Sequence, residues 1–207
     1  MDSLAPRIDA PAAHAAQWHE RRRPAVRIRR VREHDAPLIG EFIRGLSPAS
    51  RQRRFHSAIR DLPPQWLERM VRPDPAHELA LVAVVSSAGR DVCVAEARYV
   101  ASDDVPDGRE FALAVADGWQ GRGIGKTLLL SLGAHAARHG VPRLVGDVLR
   151  DNLPMIELAR GLGYAVHGHP GDRRLVRAWR AFACALPSCR APASGATASF
   201  ETQRPPP

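Results

Sequence analysis

Apolar residues in the first half of this chain recur with a period that changes several times. Val and Ile alternate with Arg over residues 26–31, which predicts a first strand. Apolar residues at helical spacing follow Asp35, which we expect to cap the helix, and short helices are predicted over 47–59 and from Pro63 to Met70. The first half therefore begins with one strand and two or three helices.

The second half is predicted to contain most of the sheet. Three β-branched apolar runs cover residues 79–85, 92–100 and 110–115, and Ser-Ser-Ala-Gly-Arg between the first two predicts a hairpin. A long helix is expected over 121–139, where Gly140 and Pro142 end it. The remaining segments are predicted to form one strand, one helix and a strand pair, over residues 144–149, 154–162, 164–167 and 175–179. This order predicts a mixed α/β (α+β) fold with a mostly antiparallel sheet.

Composition limits the number of domains. The 207 residues have a mass of 22.6 kDa and are 44% hydrophobic, which suits one sizeable core. We divide the chain into a flexible basic arm over 1–24, one domain over 25–182 and a disordered Ala/Pro/Ser-rich tail over 183–207. The sequence has no run of about 18 uncharged apolar residues and no secretory signal, so we expect a cytoplasmic protein without membrane contact. Three cysteines form neither a disulfide framework nor a metal-binding spacing.

The positive charge is concentrated near the N-terminus. Residues 1–54 contain 12 Arg and 6 acidic residues, and Lys126 is the only lysine of the chain. We attribute the pI of 10.7 to an arginine-rich composition and expect no nucleic-acid partner. Binding of nucleic acid or of an acidic protein through the basic arm is the alternative.

The segment 112–127 is the most informative part of the sequence and has the residues A-L-A-V-A-D-G-W-Q-G-R-G-I-G-K-T. A predicted strand leads into a glycine-rich turn and then directly into a helix. Closely spaced glycines and a helix N-terminus expose unpaired backbone N–H groups, and Arg122 and Lys126 add positive charge. This arrangement predicts a binding site for a phosphate or pyrophosphate.

Three motifs compete for this loop. A Walker A loop would need glycine at position 120, which is Gln120. A Rossmann loop would need its third glycine at position 126, which is Lys126. The pattern [R/Q]-x-x-G-x-[G/A] fits Gln120, Gly123 and Gly125 at every fixed position, and here the chain resembles the GNAT superfamily of N-acetyltransferases.

Segments on both sides of the loop extend the resemblance to almost the whole predicted domain. Asn152–Met155 and Leu162–Tyr164 match the N-x-x-A/M…G-F/Y signature of that family. The stretch 42–55 (F-I-R-G-L-S-P-A-S-R-Q-R-R-F) resembles a segment of the bacterial protein-lysine acetyltransferase branch. The resemblance implies the GNAT fold, in which a V-shaped splay of the sheet binds acetyl-CoA.

The resemblance also implies which residues form the site. The central strand, the glycine loop and the following helix would bind acetyl-CoA, and Glu110 would act as the general base. Backbone N–H groups at 113–115 would stabilise the developing oxyanion and hydrogen-bond the pantetheine arm. The residues that we predict to bind acetyl-CoA are Leu113, Ala114, Val115, Gln120, Gly121, Arg122, Gly123, Ile124, Gly125, Lys126, Thr127, Asn152 and Met155.

Several of these assignments have alternatives. Glu110 could instead pair with Arg98 or Arg109, and Glu96 is the second candidate base, although we expect it to face solvent or pair with an arginine. The Asn152 side chain could cap the helix that follows it. Many family members have a tyrosine as general acid seven residues after this asparagine, but here the position is Ala159, so water would have to donate the proton.

Several residues outside the predicted acetyl-CoA site also have reactive, aromatic or charged side chains. We expect Cys93 to be buried, Trp66 and Trp179 to belong to the core or to a lid, and His167 and His169 not to bind metal. Three arginines are predicted to line the acceptor groove or to cover an exposed helix face: Arg51, Arg53 and Arg54.

The sequence thus predicts an acetyl-CoA-dependent N-acetyltransferase without a metal, active as a monomer or homodimer. A primary amine, a protein lysine in the first instance, would attack the thioester directly. Two alternatives stay open. One is a non-catalytic acyl-CoA-binding module that is indifferent to Glu110. The other is an acetyltransferase for small amines or polyamines, with acidic walls from Asp103, Asp104 and Asp107.

Overall fold

The computed structural model describes residues 25–87 and 89–182. The predicted basic arm and C-terminal tail lie outside these residues. The elements appear in the predicted order. The helices are α1 (Ala36–Gly45), α2 (Pro48–Phe55), α3 (Pro64–Val71), α4 (Ile124–Arg138) and α5 (Leu153–Gly161), and the strands are β1 (Arg27–Arg30), β2 (Leu79–Ser87), β3 (Arg90–Val100), β4 (Arg109–Val115), β5 (Arg143–Leu149), β6 (Ala165–Gly168) and β7 (Leu175–Ala181).

The strands form one seven-stranded sheet in the order β1-β2-β3-β4-β5-β7-β6. Every neighbouring pair is antiparallel except β4 and β5, which are parallel. This confirms the predicted mixed α/β fold with a mostly antiparallel sheet.

Helices cover both faces of the sheet. On one face α4 buries Leu128, Leu129 and Leu132, each at most 1% exposed, against strands β2 to β4. Burying a leucine side chain of this kind contributes about 1.5–3 kcal/mol. On the other face α1 and α3 pack Ile39, Phe42 and neighbouring residues against β2 and β3. The two layers hold β4 at the centre of the molecule.

Two short 3₁₀ turns, Glu33–Asp35 and Asp117–Trp119, were not predicted. The first of these turns ends at Asp35, and the Asp35 side chain does not cap α1. Its carboxylate instead accepts hydrogen bonds from Arg29 Nη1 at 2.6 Å and from the backbone N–H of Arg32 at 2.7 Å. The cap prediction was wrong because a guanidinium on the neighbouring strand provides a stronger, charged donor.

Helix α4 begins at Ile124, three residues later than the glycines suggested. Gly121 and Gly123 have φ of 70° and 81°, so neither continues a right-handed helix. In the part of the chain that the structure describes, no helix combines the length and apolar character that crossing a membrane requires.

Candidate active site

The site begins where the sheet splits. Strands β4 and β5 pair at only two positions, Arg109 with Leu144 and Glu110 with Val145. Past these pairs the strands separate toward their carboxyl ends. A cavity of about 330 Å³ lies between the carboxyl end of β4, the glycine loop and the start of α5. We call it the donor cavity. The split therefore places Glu110 at the vertex of a V.

The free edge of β4 offers backbone groups to this cavity. The Ala116 N–H bonds to Val94 O on β3, so the alternate residues Leu113 and Val115 direct their backbone groups toward the split instead. Ala114 bonds within the β3–β4 ladder by the same alternation. Val115 O accepts from Gln120 Nε2 at 3.1 Å. An extended ligand could therefore pair with β4 through the backbone groups of Leu113 and the N–H of Val115, as an added strand does.

The glycine loop provides the largest group of free donors. Among the described residues, no acceptor is present for the backbone N–H groups of 121–126, six in succession. The first α-type bond follows at Thr127, whose N–H donates to Gly123 O at 3.0 Å. These N–H groups, the positive end of the α4 dipole and the Lys126 ammonium together form a site suited to a pyrophosphate.

The structure brings together eleven of the thirteen predicted acetyl-CoA residues around the donor cavity. Arg122 and Thr127 are the exceptions, because they line a neighbouring cavity of about 310 Å³. The Arg122 guanidinium stacks over Trp119 at 4.7 Å from the ring centroid. These two residues therefore lie on the far side of the loop from the donor cavity.

A cluster of hydrogen bonds that the sequence analysis missed joins the glycine loop to α2. The Asp117 carboxylate accepts the Ser47 N–H at 2.9 Å, and the Ser47 and Ser50 hydroxyls at 2.8 Å each. Gln120 Nε2 donates to Ser50 Oγ and to Val115 O. The Gln120 amide is thus engaged within the protein, which gives it a positioning role. The only sequence signal for this cluster was the Ser47-Pro48 helix start.

Glu110 lines a second cavity of about 240 Å³, which we call the acceptor cavity. The two cavities share Arg53, Arg54, Leu113, Asn152 and Met155 along their borders. The arginines predicted as alternative partners of Glu110 bond elsewhere: Arg98 to Glu96 and Met70 O, and Arg109 to His77 and Gly108 O. Within residues 25–87 and 89–182 Glu110 forms no ion pair, so its carboxylate is available to the cavity.

Glu96 is buried, so the expectation that it faces solvent was wrong. Its carboxylate accepts from Arg98 Nε at 2.5 Å and from Arg54 Nη2 at 3.2 Å, as the second expectation had it. Burial alone would raise the pKa of Glu96, but the two guanidinium groups outweigh burial and lower it. An ionised, doubly paired carboxylate is a poor proton acceptor, which argues against Glu96 as the base.

Asp147 and His56 complete the polar wall of the acceptor cavity. Arg177 neutralises Asp147 with two hydrogen bonds of 2.8 Å, and His169 Nε2 lies 3.2 Å from the same carboxylate. Burial lowers the pKa of His56, so this imidazole is neutral near pH 7. His56 also has the left-handed φ of 55°.

The general-acid position contains no acidic group. Ala159 is fully buried, and no tyrosine lines the donor or acceptor cavity among the described residues. Tyr164 lies in the core, where its ring packs edge-on against Phe111 at 5.4 Å and burial raises its pKa to about 12. The Asn152 side chain makes no capping bond to α5, so the capping alternative was wrong.

The cysteine, tryptophan and arginine residues singled out in the sequence lie partly where they were predicted. Cys93 is buried at 6% exposure, and burial raises its thiol pKa to about 12. Trp66 and Trp179 are 51% and 39% exposed and do not belong to the core. Arg51 is bonded to backbone carbonyls of Arg44 and Leu46. Within the described residues no group of three or more potential metal ligands occurs.

The acidic residues proposed as walls for a polyamine lie away from the acceptor cavity. Asp104 lines a separate cavity with Arg143 and Arg177, and Asp107 pairs with Arg143 at 3.6 Å. Asp103 lines none of these cavities. None of the three aspartates on which this alternative depends therefore lines the cavity that holds Glu110.

Comparison with known proteins agrees with this geometry. The model of the acetyltransferase (GNAT) family matches residues 49–164. An acetyltransferase of Pseudomonas aeruginosa is 32% identical over 148 residues, which are 71% of this chain and 78% of the relative. The GNAT domain of S. lividans PAT superposes with a TM-score of 0.68 at 26% identity, covering 76% of this chain and 90% of that domain. The Salmonella typhimurium protein yncA, solved with its cofactor acetyl-CoA, shares the fold with a TM-score of 0.60 at 21% identity over 80% of this chain and 99% of that protein.

Proposed function

Because the chain belongs to the acetyltransferase (GNAT) family, and is therefore an acyltransferase, we propose that it transfers the acetyl group of acetyl-CoA to the side-chain amine of a protein lysine. We assign this activity to a catalytic domain over residues 25–182. The likeness to the GNAT domain of S. lividans PAT and the L-S-P-A-S-R segment at 46–51 support the protein-lysine branch.

The observation that carries the proposal is that the free backbone N–H groups of the glycine loop and of β4 line one path through the donor cavity. The free N–H groups of 121–126 would bind the pyrophosphate of acetyl-CoA, with Lys126 as the counter-charge. The unpaired edge of β4 would hydrogen-bond the pantetheine arm, with Asn152 and Met155 on the opposite side of the donor cavity. This path leads the thioester toward Glu110 at the vertex of the split.

Glu110 is assigned as the general base. A lysine side chain has a pKa near 10.4, so freeing its lone pair at pH 7.4 costs about 4 kcal/mol. A carboxylate within reach of the incoming ammonium reduces this cost by accepting its proton. Glu110 suits the task because it lines the acceptor cavity and, among the described residues, has no cation paired with it.

The reaction proceeds by direct attack. Glu110 takes one proton from the ammonium and releases it to solvent, and the freed amine nitrogen forms a bond to the thioester carbon. The second proton of this nitrogen then passes to Glu110 as the carbon–sulfur bond breaks. The Leu113 and Val115 N–H groups face the split and would stabilise the oxyanion. The coenzyme A thiol has a pKa of roughly 8–9 by analogy with cysteine, so its thiolate can leave and take a proton from water although Ala159 provides none.

Release of free thiol from acetyl-CoA tests the proposal. The wild-type protein and the Glu110→Gln variant are each purified and mixed with acetyl-CoA. Each is then given pooled lysine-bearing proteins in one assay and small amines in another. We expect acceptor-dependent release that falls about 100-fold or more in the variant, as when a general base is lost, with acetyl-CoA binding retained. Glu157→Gln is the matched control, since Glu157 is exposed and lines none of the cavities.

The two rivals predict different results. A non-catalytic binding module would bind acetyl-CoA without releasing thiol and would be indifferent to Glu110→Gln. A small-amine acetyltransferase would turn over only with the small amines. Failure to bind acetyl-CoA at all would contradict the assignment of the glycine loop.

A further inference from the structure

Helix α2 brings two arginines to the border between the donor and acceptor cavities. Arg53 and Arg54 each line both cavities, and so lie where an acyl group and an incoming amine would meet. The contacts to Asp117 described above hold the start of this helix on the glycine loop. The two guanidinium groups are therefore part of the site and not of a free helix face.

Arg54 belongs to a buried cluster with too few negative charges. It shares the Glu96 carboxylate with Arg98, and the side chains of both arginines are only 11% exposed. Among the described residues, one N–H of Arg54 is bonded to Glu96 and the others have no protein acceptor. Buried cations are costly without a matching anion, so this arrangement favours an anionic ligand in the adjoining cavity.

The neighbouring charges do not make up the difference. Within residues 25–87 and 89–182 Arg53 has no ion pair or side-chain hydrogen bond. Asp147 is neutralised by Arg177, and the half-buried His56 carries no charge near pH 7. The three guanidinium groups around the border, those of Arg53, Arg54 and Arg98, exceed the two carboxylates, Glu96 and Glu110, by one positive charge. Among the described residues Glu96 pairs with Arg54 and Arg98, and Glu110 pairs with none of the three.

We propose that Arg53 and Arg54 form a carboxylate-binding subsite beside Glu110, which selects a substrate that carries a carboxylate close to the reacting amine or on the acyl group. This inference rests on the proposed function and adds a substrate class to it. A guanidinium binds the planar carboxylate through two parallel hydrogen bonds, and burial strengthens that contact. An acceptor lysine flanked by Asp or Glu fits the subsite, because its ammonium can reach Glu110 while its neighbour pairs with Arg53.

The acceptor arm of the test compares two peptides that differ in charge alone. Each has one lysine, flanked by Glu in the first and by the isosteric Gln in the second. We expect kcat/KM about tenfold higher for the Glu peptide, mainly through a lower KM, and a difference within about twofold in Arg53→Gln. Anisotropy of labelled peptides on the protein bound to coenzyme A, which has no acyl group to transfer, measures the same preference without turnover.

Arg69→Gln is the matched control, because Arg69 is exposed on α3 and lines none of the cavities. It should keep the full preference for the Glu peptide. Arg53 is chosen over Arg54 because removing Arg54 would leave the buried Glu96 with a single partner and could unfold the domain.

The donor arm examines the other source of a carboxylate. Succinyl-CoA and butyryl-CoA have acyl chains of equal length, and only the first ends in a carboxylate. Direct binding measurements on wild type and Arg53→Gln would show about tenfold tighter binding of succinyl-CoA, lost in the variant, if the subsite serves the acyl group.

A preference that depends on Arg53 in either arm supports the subsite and identifies the source of the carboxylate. An absence of preference in both arms, or a preference that survives in Arg53→Gln, overturns it. Failure of the proposed function looks different, because acetyl-CoA would then release no thiol with any acceptor.

Discussion

Gly121 and Gly123 show how single residues determine whether the loop can hold a pyrophosphate. Their φ of 70° and 81° turn the chain so that successive N–H groups point away from the protein. A side chain at either position would meet no heavy atom within 4 Å, so the requirement for glycine is conformational and not a matter of space. The left-handed region costs about 1–2 kcal/mol for residues with a Cβ.

Gly123→Ala should therefore weaken acetyl-CoA binding by about tenfold, because the backbone would relax away from the left-handed conformation and turn the N–H groups. Titration calorimetry with acetyl-CoA measures this. The control is Gly118→Ala, where a Cβ also meets nothing within 4 Å but φ is not positive. Equal affinities in the two variants would contradict the conformational explanation.

At the scale of elements, the site depends on how helix α2 is attached. The three hydrogen bonds to Asp117 tie its first turn to the glycine loop, while its last turn carries Arg53 and Arg54. The Asp117 carboxylate therefore connects the wall of the acceptor cavity to the glycine loop. Sequence patterns predicted both elements but not this tie, because the serines and the aspartate are about 70 residues apart and none belongs to the apolar pattern.

Asp117→Ala should loosen α2 and raise the acceptor KM severalfold, while acetyl-CoA affinity changes less. Each hydrogen bond to Asp117 stabilises the attachment of α2 by about 1 kcal/mol or less, because Asp117 is exposed to solvent. Hydrogen exchange of residues 48–55 should speed up in this variant. The exchange rates of α2 should stay at the wild-type values in Asp151→Ala, which removes an exposed carboxylate that makes no side-chain hydrogen bond to the described residues. Unchanged exchange in Asp117→Ala would argue against the tie.

At the scale of the whole molecule, one buried histidine joins three parts of the fold. His135 on α4 lies 2.6 Å from Tyr99 Oη on β3 and 2.7 Å from Arg30 Nη2 on β1, and its ring stacks on His139 at 3.8 Å. Burial, followed by the charges of His139, Arg30 and Arg138, lowers the pKa of His135 to about 4. The neutral imidazole accepts a hydrogen bond from Arg30, and a protonated one could not.

Acid should therefore destabilise the fold through His135. The unfolded histidine has a pKa near 6.5, so between pH 6.5 and about 4 the unfolded state binds a proton that the folded state excludes. The free energy of unfolding should fall by about 2 kcal/mol from this group between pH 7 and pH 5. Denaturant titrations of wild type and His135→Gln at both pH values measure the difference, with His34→Gln as an exposed control. The same pH dependence in His135→Gln would refute this origin.

The order of elements and the glycine loop followed from local sequence. The apolar periods and the glycines act over a few residues, so the sequence alone was enough to predict the seven strands, the major helices and the donors of 121–126. The same local signals misplaced the start of α4, because the positive φ of Gly123 delays it, and misassigned Asp35, which pairs with Arg29 on a neighbouring strand.

Tertiary structure alone decided which charged groups meet. Glu96 and Glu110 are both acidic residues in strands, but Glu96 is buried between Arg54 and Arg98 while Glu110 lies at the vertex of the split and lines the acceptor cavity. The Asp117 contacts, the border position of Arg53 and the neutral His135 likewise depend on partners far away in the chain. Pairing of charges depends on distance and burial, and both are set by packing after the elements have formed.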